Sequence, residues 1–126
     1  MKIYEKWFQK AENDLLTIKN NLAAEITPVD TCCFHAQQVA EKYLKAFLVS
    51  RNVGFPKTHD LEVLLNLLIE KNKIFSELLS NIDPLQDYSI ASRYPDEIDE
   101  LTIDDAKTAY QNALTIKEFI LKNFLA

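Results

Sequence analysis

Three places in this 126-residue chain put reactive or recognising side chains close together. The first is Lys57-Thr58-His59-Asp60-Leu61. An imidazole is the usual carrier of general acid–base chemistry near neutral pH, and His35 and His59 are the only two histidines. His59 stands where a helix begins, beside an acid. There it is either a chemical group or a solvated residue next to a capping Asp60. The second place is Arg93-Tyr94-Pro95-Asp96. An arginine, an aromatic ring and a backbone-fixing proline suit an anion- or base-stacking corner; an Arg93–Asp96 bridge closing a turn is the structural alternative. The third is a row of polar residues, His35, Gln38, Glu41, Lys42 and Lys45, which share one side of a long helical segment.

Other chemistries find little support. Cys32, Cys33, His35 and His59 are the only soft metal ligands, and their spacing matches no zinc motif. The acidic run of residues 96–105 attracts cations in principle, but it lacks the EF-hand pattern, and acids opening a helix are explained by its dipole. One glycine cannot build a phosphate-cradling loop, and GxSxG, HExxH and CxxC are absent. No metal and no cofactor are expected.

The polar row belongs to the segment that organises the chain, Phe34 to Arg51. Its opposite side carries Cys32, Cys33, Ala36, Val39, Ala40, Tyr43, Leu44, Ala46, Phe47 and Leu48, an apolar arc of roughly 200° on the helical wheel. A surface helix shows little more than ~100°, so this one is expected at the centre of a bundle. Asp30 or Thr31 should cap it. Gly54 is expected to supply the left-handed residue after its end.

A first helix should run from Tyr4 to Ala23, with Tyr4, Trp7, Phe8, Ala11, Leu15, Ile18 and Leu22 inward. Asp14, on the edge of that stripe, is either a solvated boundary residue or a salt-bridge partner for a neighbouring helix. Thr58 is a plausible cap for a third helix, His59 to Lys71. Residues Ile74–Asn81 read as a short helix with Phe75, Leu78 and Leu79 inward, and Asp83-Pro84 opens another to about Ser92. Thr102 and Asp105 form a capping box before a last helix, Ile103–Phe124. Its inward set is Ala106, Tyr110, Ala113, Leu114, Ile120, Leu121 and Phe124; Lys117 in that stripe either snorkels or meets an acid.

The whole reads as a single all-α domain, residues 1–126. Apolar residues make up 48% of the chain, and its formal net charge of −5 argues against general nucleic-acid adhesion. Adjacent cysteines suit reduced, buried thiols. The charged N-terminus contains no signal peptide and no apolar run spans a membrane, so a cytoplasmic protein is expected.

Several of these pieces together resemble the HEPN domain family. They are Trp7…Ala11-Glu12…Asp14-Leu15, the run Phe34-His35-Ala36-Gln37-Gln38-Val39-Ala40-Glu41-Lys42-Tyr43-Leu44-Lys45-Ala46-Phe47-Leu48, then Thr58-His59-Asp60-Leu61, and finally Ser92-Arg93-Tyr94-Pro95-Asp96. The resemblance implies an up-and-down four-helix bundle with an additional short helix, usually a homodimer, with a polar cleft associated with nucleotide or RNA binding. Many relatives are metal-independent ribonucleases using an arginine followed four to six residues later by histidine. Here Arg93 is followed by Tyr94, Pro95, Asp96, Glu97, Ile98, Asp99 and Glu100, so the motif's base is missing. Other relatives are partners of minimal nucleotidyltransferases in toxin–antitoxin-like modules.

The leading expectation is a non-catalytic nucleotide- or RNA-binding module, with such a nucleotidyltransferase as a candidate partner. Lys42, Lys45 and Arg93 would contact phosphate, Tyr94 would stack, and Gln38, Glu41, His59, Asp60 and Asp96 would complete the site. The rivals are a ribonuclease using Arg93 and His59, and a purely structural partner subunit. The width of the second helix's apolar arc also leads to the expectation of a homodimer.

Overall fold

The computed structural model describes residues 1–88 and 100–124. Its helices are α1 (Ile3–Leu22), α2 (Val29–Ser50), α3 (Leu61–Lys71), the four-residue α4 (Leu79–Ile82) and α5 (Ile103–Phe124). They form the expected up-and-down bundle of four longer helices with a short extra one. Two 3₁₀ turns, Lys73–Leu78 and Asp83–Leu85, flank α4. The proline-opened segment starts at Asp83 as a 3₁₀ turn, and residues 89–92 of the expected helix lie outside the described residues.

The bundle is built around α2. Every residue of its predicted apolar arc is buried, and α1, α3 and α5 of the same chain cover it. The arc therefore needs no second subunit, and that argument for a homodimer loses its premise. Against α1 the arc meets Ala11, Leu15 and Ile18; against α3, Leu61, Leu64, Leu65 and Leu68. From α5 come Ala106, Ala109, Ala113, Ile116 and Ile120. The inward set of α5 is rotated from the expected one: Leu121 is exposed, while Ala109 and Ile116 are buried. Small alanines on that face let α5 approach α2 closely. In the α4 region Phe75, Leu78 and Ile82 point inward, whereas Leu79 is exposed, because the 3₁₀ winding shifts the helical register.

The helix ends correct three capping expectations. α2 begins at Val29, ahead of Asp30 and Thr31, after Pro28 at the cap position. Proline there costs nothing in unmade bonds, and Asp30 instead places a carboxylate in the positive first turn. At the other end Asn52, at φ 57°, adopts the left-handed conformation, and Gly54 does not. Asn52 and Val53 donate their N–H groups to the Val49 and Leu48 carbonyls, 3.1 and 2.9 Å away, which completes a Schellman motif. At α3 the cap is Asp60, whose side chain accepts from the Glu62 and Val63 N–H groups; Thr58 supports it by accepting from the Asp60 N–H at 3.0 Å. The Thr102–Asp105 capping box forms as expected, with reciprocal bonds of 2.8 and 3.1 Å.

This packing generates two predictions. Gly54 has no positive φ, and a Cβ there meets nothing within 4 Å. Gly54→Ala should therefore stabilise by about 0.4–1 kcal/mol, while Asn52→Ala costs about 1 kcal/mol; urea melts of both variants check the opposite signs. The second concerns Cys33, which is wholly buried. Burial pushes its thiol from the ordinary 9.0 up to about 12, the Asp105 carboxylate and Cys32 add to the rise, and a hydrogen bond from Tyr88 opposes it. A raised thiol value means that the unfolded chain ionises first. This contribution to stability is complete below pH 9.0 and is lost as pH climbs toward 12. Urea midpoints taken at neutral pH and again between those two values should fall further for the wild type than for Cys33→Ala.

Candidate functional site

The polar row of α2 faces partners inside the chain rather than bulk water. His35 and Lys42 stand seven residues apart, two helical turns, and so project on the same side. Opposite them on α1 is Asp14, only 7% exposed. Its two oxygens take the two partners separately: Oδ1 lies 2.7 Å from His35 Nδ1, and Oδ2 accepts from Lys42 Nζ. Asp14 is thus the inter-helix salt-bridge residue of the two alternatives.

The next turn holds a denser group around Glu41, which is 4% exposed. Lys45 Nζ donates to its Oε2 at 3.0 Å, and His59 Nδ1 lies 2.9 Å from its Oε1. Gln37, entirely buried, reaches the same oxygen at 3.5 Å and donates to the His59 carbonyl at 3.0 Å. Gln38 donates in turn to the Gln37 side-chain oxygen at 2.7 Å. The loop after α2 is therefore held to the helix at His59 through both its main chain and its side chain. The Lys45 ammonium also sits 5.5 Å from the Trp7 ring centre and 5.8 Å from that of Phe55, where aromatic faces favour a cation.

His59 differs from the rest of the group because 72% of its side chain is exposed. A carboxylate beside Nδ1 requires the proton there, so the ring presents Nε2 to solvent. That atom accepts a proton when the ring is neutral and donates a charge-assisted bond when it is protonated. Asp60, beside it, is used structurally: Oδ1 accepts from Glu62 N and Val63 N at 3.0 and 3.3 Å, and from the Gln86 amide. Arg93, Tyr94 and Asp96 lie outside the described residues. No group of three His, Cys, Asp or Glu side chains able to hold a metal occurs among the described residues.

The HEPN domain model matches residues 4–124. The chain belongs to the HEPN family. A protein of Methanocaldococcus jannaschii described as a "putative toxin" is 28% identical, the match covering 97% of this chain and 88% of the relative. Among solved structures, the crystal structure of an archaeal HEPN homologue aligns with TM-score 0.75 at 26% identity over 98% of each chain. A protein of Thermus thermophilus aligns with TM-score 0.79 at 26% identity, covering 97% of this chain and 98% of its own.

In this HEPN chain the lysines of α2 are already committed. Asp14 holds Lys42, Glu41 holds Lys45, and Glu12 receives both Lys117 Nζ at 2.8 Å and the Tyr43 hydroxyl. Lys117 thus meets an acid from another helix, the second of its two readings. These three acids and three lysines cancel in formal charge, so a phosphate approaching the row meets little net attraction from them. The sequence marked Glu41, Lys42, Lys45, Gln38 and His59 as site residues, placed His35 in the polar row and offered the salt bridge of Asp14 as one of two readings, but missed Gln37. Asp14 had a signal, a carboxylate at the edge of an apolar stripe. Gln37 had none, because its neighbour Gln38 occupies the polar side and burial of an amide cannot be read from the wheel.

The Glu41–Lys45 pair generates a test of this arrangement. Removing one member of a buried pair strands the other, which costs about 3–5 kcal/mol, whereas an apolar replacement of both is often close to neutral. Lys45→Met and Glu41→Leu should each lower the unfolding free energy by about that amount. The double variant is expected to lose less than either single one, and equilibrium denaturation of the four proteins closes the cycle.

Proposed function

We propose that this HEPN chain is a binding module for a phosphate-bearing ligand, a nucleotide or RNA, received at the His59 corner. The observation that carries the reading is the exposed His59 ring, fixed through Nδ1 by buried Glu41. A fixed imidazole offers one directed N–H toward an anionic oxygen, and charge-assisted bonds of this kind contribute about 1.5–3 kcal/mol. Lys42 and Lys45 support the site indirectly, by holding the carboxylates of Asp14 and Glu41 in place. Arg93 and Tyr94 enter the reading from the sequence, as the phosphate contact and the stacking ring of the family-like Ser92–Asp96 motif.

The Glu41–His59 pair also favours a second reading, in which the same imidazole is a general base. An acid that orients an imidazole while its other nitrogen meets the substrate is the arrangement general-base enzymes use. In an RNA-cleaving reaction Nε2 would take the proton of a 2′-hydroxyl as its oxygen attacks the adjacent phosphorus, and the 5′-oxygen would leave with a proton from water, giving a 2′,3′-cyclic phosphate and a 5′-hydroxyl. The toxin description of the Methanocaldococcus relative supports this reading.

Isothermal titration with ATP, GTP and a short RNA discriminates the two. The binding reading expects saturable binding, weakened about ten- to a hundredfold by His59→Ala and also reduced by Arg93→Ala, with labelled RNA left intact. Cleavage that disappears in His59→Ala and falls in Glu41→Gln would establish the enzyme instead. No binding of any of the three ligands by the wild type removes the binding reading.

A further inference from the structure

A concavity lies where the C-terminal ends of α2, α3 and α5 meet, and it shares no residue with the His59 corner. Its volume is about 670 Å³, within the range of small-molecule sites. Phe47, Leu68 and Phe75 form an apolar floor, and Arg51 and Lys71 bring two cationic groups. Among the described residues no acidic side chain lines it, although the chain as a whole carries a net charge of −5. Among the described residues neither cation is salt-bridged to a carboxylate.

The Arg51 guanidinium is already positioned. It stacks on the Phe47 ring at 4.5 Å and lies 5.4 Å from that of Phe124, while Nη2 donates to the Phe124 carbonyl at 3.1 Å. Nη1 also donates to Ser50 Oγ at 3.3 Å; among the described residues the other N–H groups make no hydrogen bond, and the exposed face can stack on a planar ring. Asn72 uses its side-chain oxygen on the Ile74 N–H, which leaves the amide N–H pair as donors. Three helix C-termini would ordinarily disfavour an anion. Here the α2 end is closed by the Asn52 and Val53 N–H groups, and the Phe124 carbonyl of α5 by Arg51. Their residual partial charges face two full cationic charges. Gly54 lines the concavity, and even a Cβ added there would meet nothing within 4 Å.

We propose that this concavity binds a small aromatic anion, a planar ring bearing a carboxylate or phosphate, with the ring over the Phe47–Arg51 stack and the charge between Arg51 and Lys71. Fluorine NMR of the full chain with 4-fluorobenzoate and 4-fluorophenyl phosphate tests it, and comparison of the two shows which anion the site prefers. At least one should bind saturably, with Lys71→Met and Arg51→Met each weakening it tenfold or more and His59→Ala leaving it unchanged. Uncharged 4-fluorophenol should bind at least tenfold more weakly. Arg51 also caps α5, so Lys71→Met, on an exposed last turn, is the variant that decides if Arg51→Met fails to fold. The proposal is overturned if neither anion saturates, if folded Lys71→Met binds as well as wild type, or if 4-fluorophenol binds equally. Loss of binding in His59→Ala would assign the ligand to the His59 corner and end the proposal, whereas failure at this concavity leaves the nucleotide titration untouched.

Discussion

Burying α2 on several sides obliges the polar groups on it to find partners inside the protein. A charge removed from water without a partner costs several kcal/mol, and Glu41 and Lys45 are both under one-tenth exposed. They answer each other, and the remaining oxygen of Glu41 is answered by His59 and Gln37. The same demand places Asp14 opposite His35 and Lys42. Much of what resembles a functional row is therefore also the satisfaction of a central helix. Among the described residues no buried side-chain nitrogen or oxygen is left without a hydrogen bond.

This constraint gives the His59 corner its character. The residue lies in the loop before α3, yet its ring and its carbonyl are both fastened to α2. A loop residue so held has little orientation to lose when a ligand arrives, which lowers the entropic cost of binding. The exposed imidazole is consequently the part of the row best suited to meet an external group. The lysines are better described as counter-ions within the wall than as hands extended toward a phosphate.

Much of the fold was legible from the chain alone, for particular reasons. The 3.6-residue periodicity of α1, α2 and α3 was uninterrupted, and α5 ran between the predicted bounds because Thr102 and Asp105 advertise its start. The errors fell where local rules admit more than one residue. Asparagine and glycine both tolerate the left-handed conformation, and Asn52 took it because the Schellman bonds require that position. Thr58 and Asp60 are both capping types, and Asp60 won because Gln86 also bonds it from a distant segment. The breadth of the α2 arc was read correctly, and of the covers it allowed, neighbouring helices or a second subunit, the chain's own α5, some sixty residues later, supplies the third wall. Helical periodicity shows how much surface a helix hides, not which element hides it. The candidate site was half visible, since residue types mark Glu41 and His59, whereas a pairing across twenty-one positions, as between Asp14 and His35, has no local signature.

The ammonium of Lys45 over the indole of Trp7 has an optical consequence. Trp7 is the chain's only tryptophan, so its emission arises from one place in the molecule. A positive charge near an indole shifts the energy of its excited state, and this charge is bonded to Glu41, the residue that also holds His59. Any event that draws His59 away from Glu41 changes what Lys45 must neutralise, and with it the field that the indole senses. The fold thus contains a built-in fluorophore one carboxylate removed from its exposed imidazole, and a displacement of that imidazole is reported in the ultraviolet without a label.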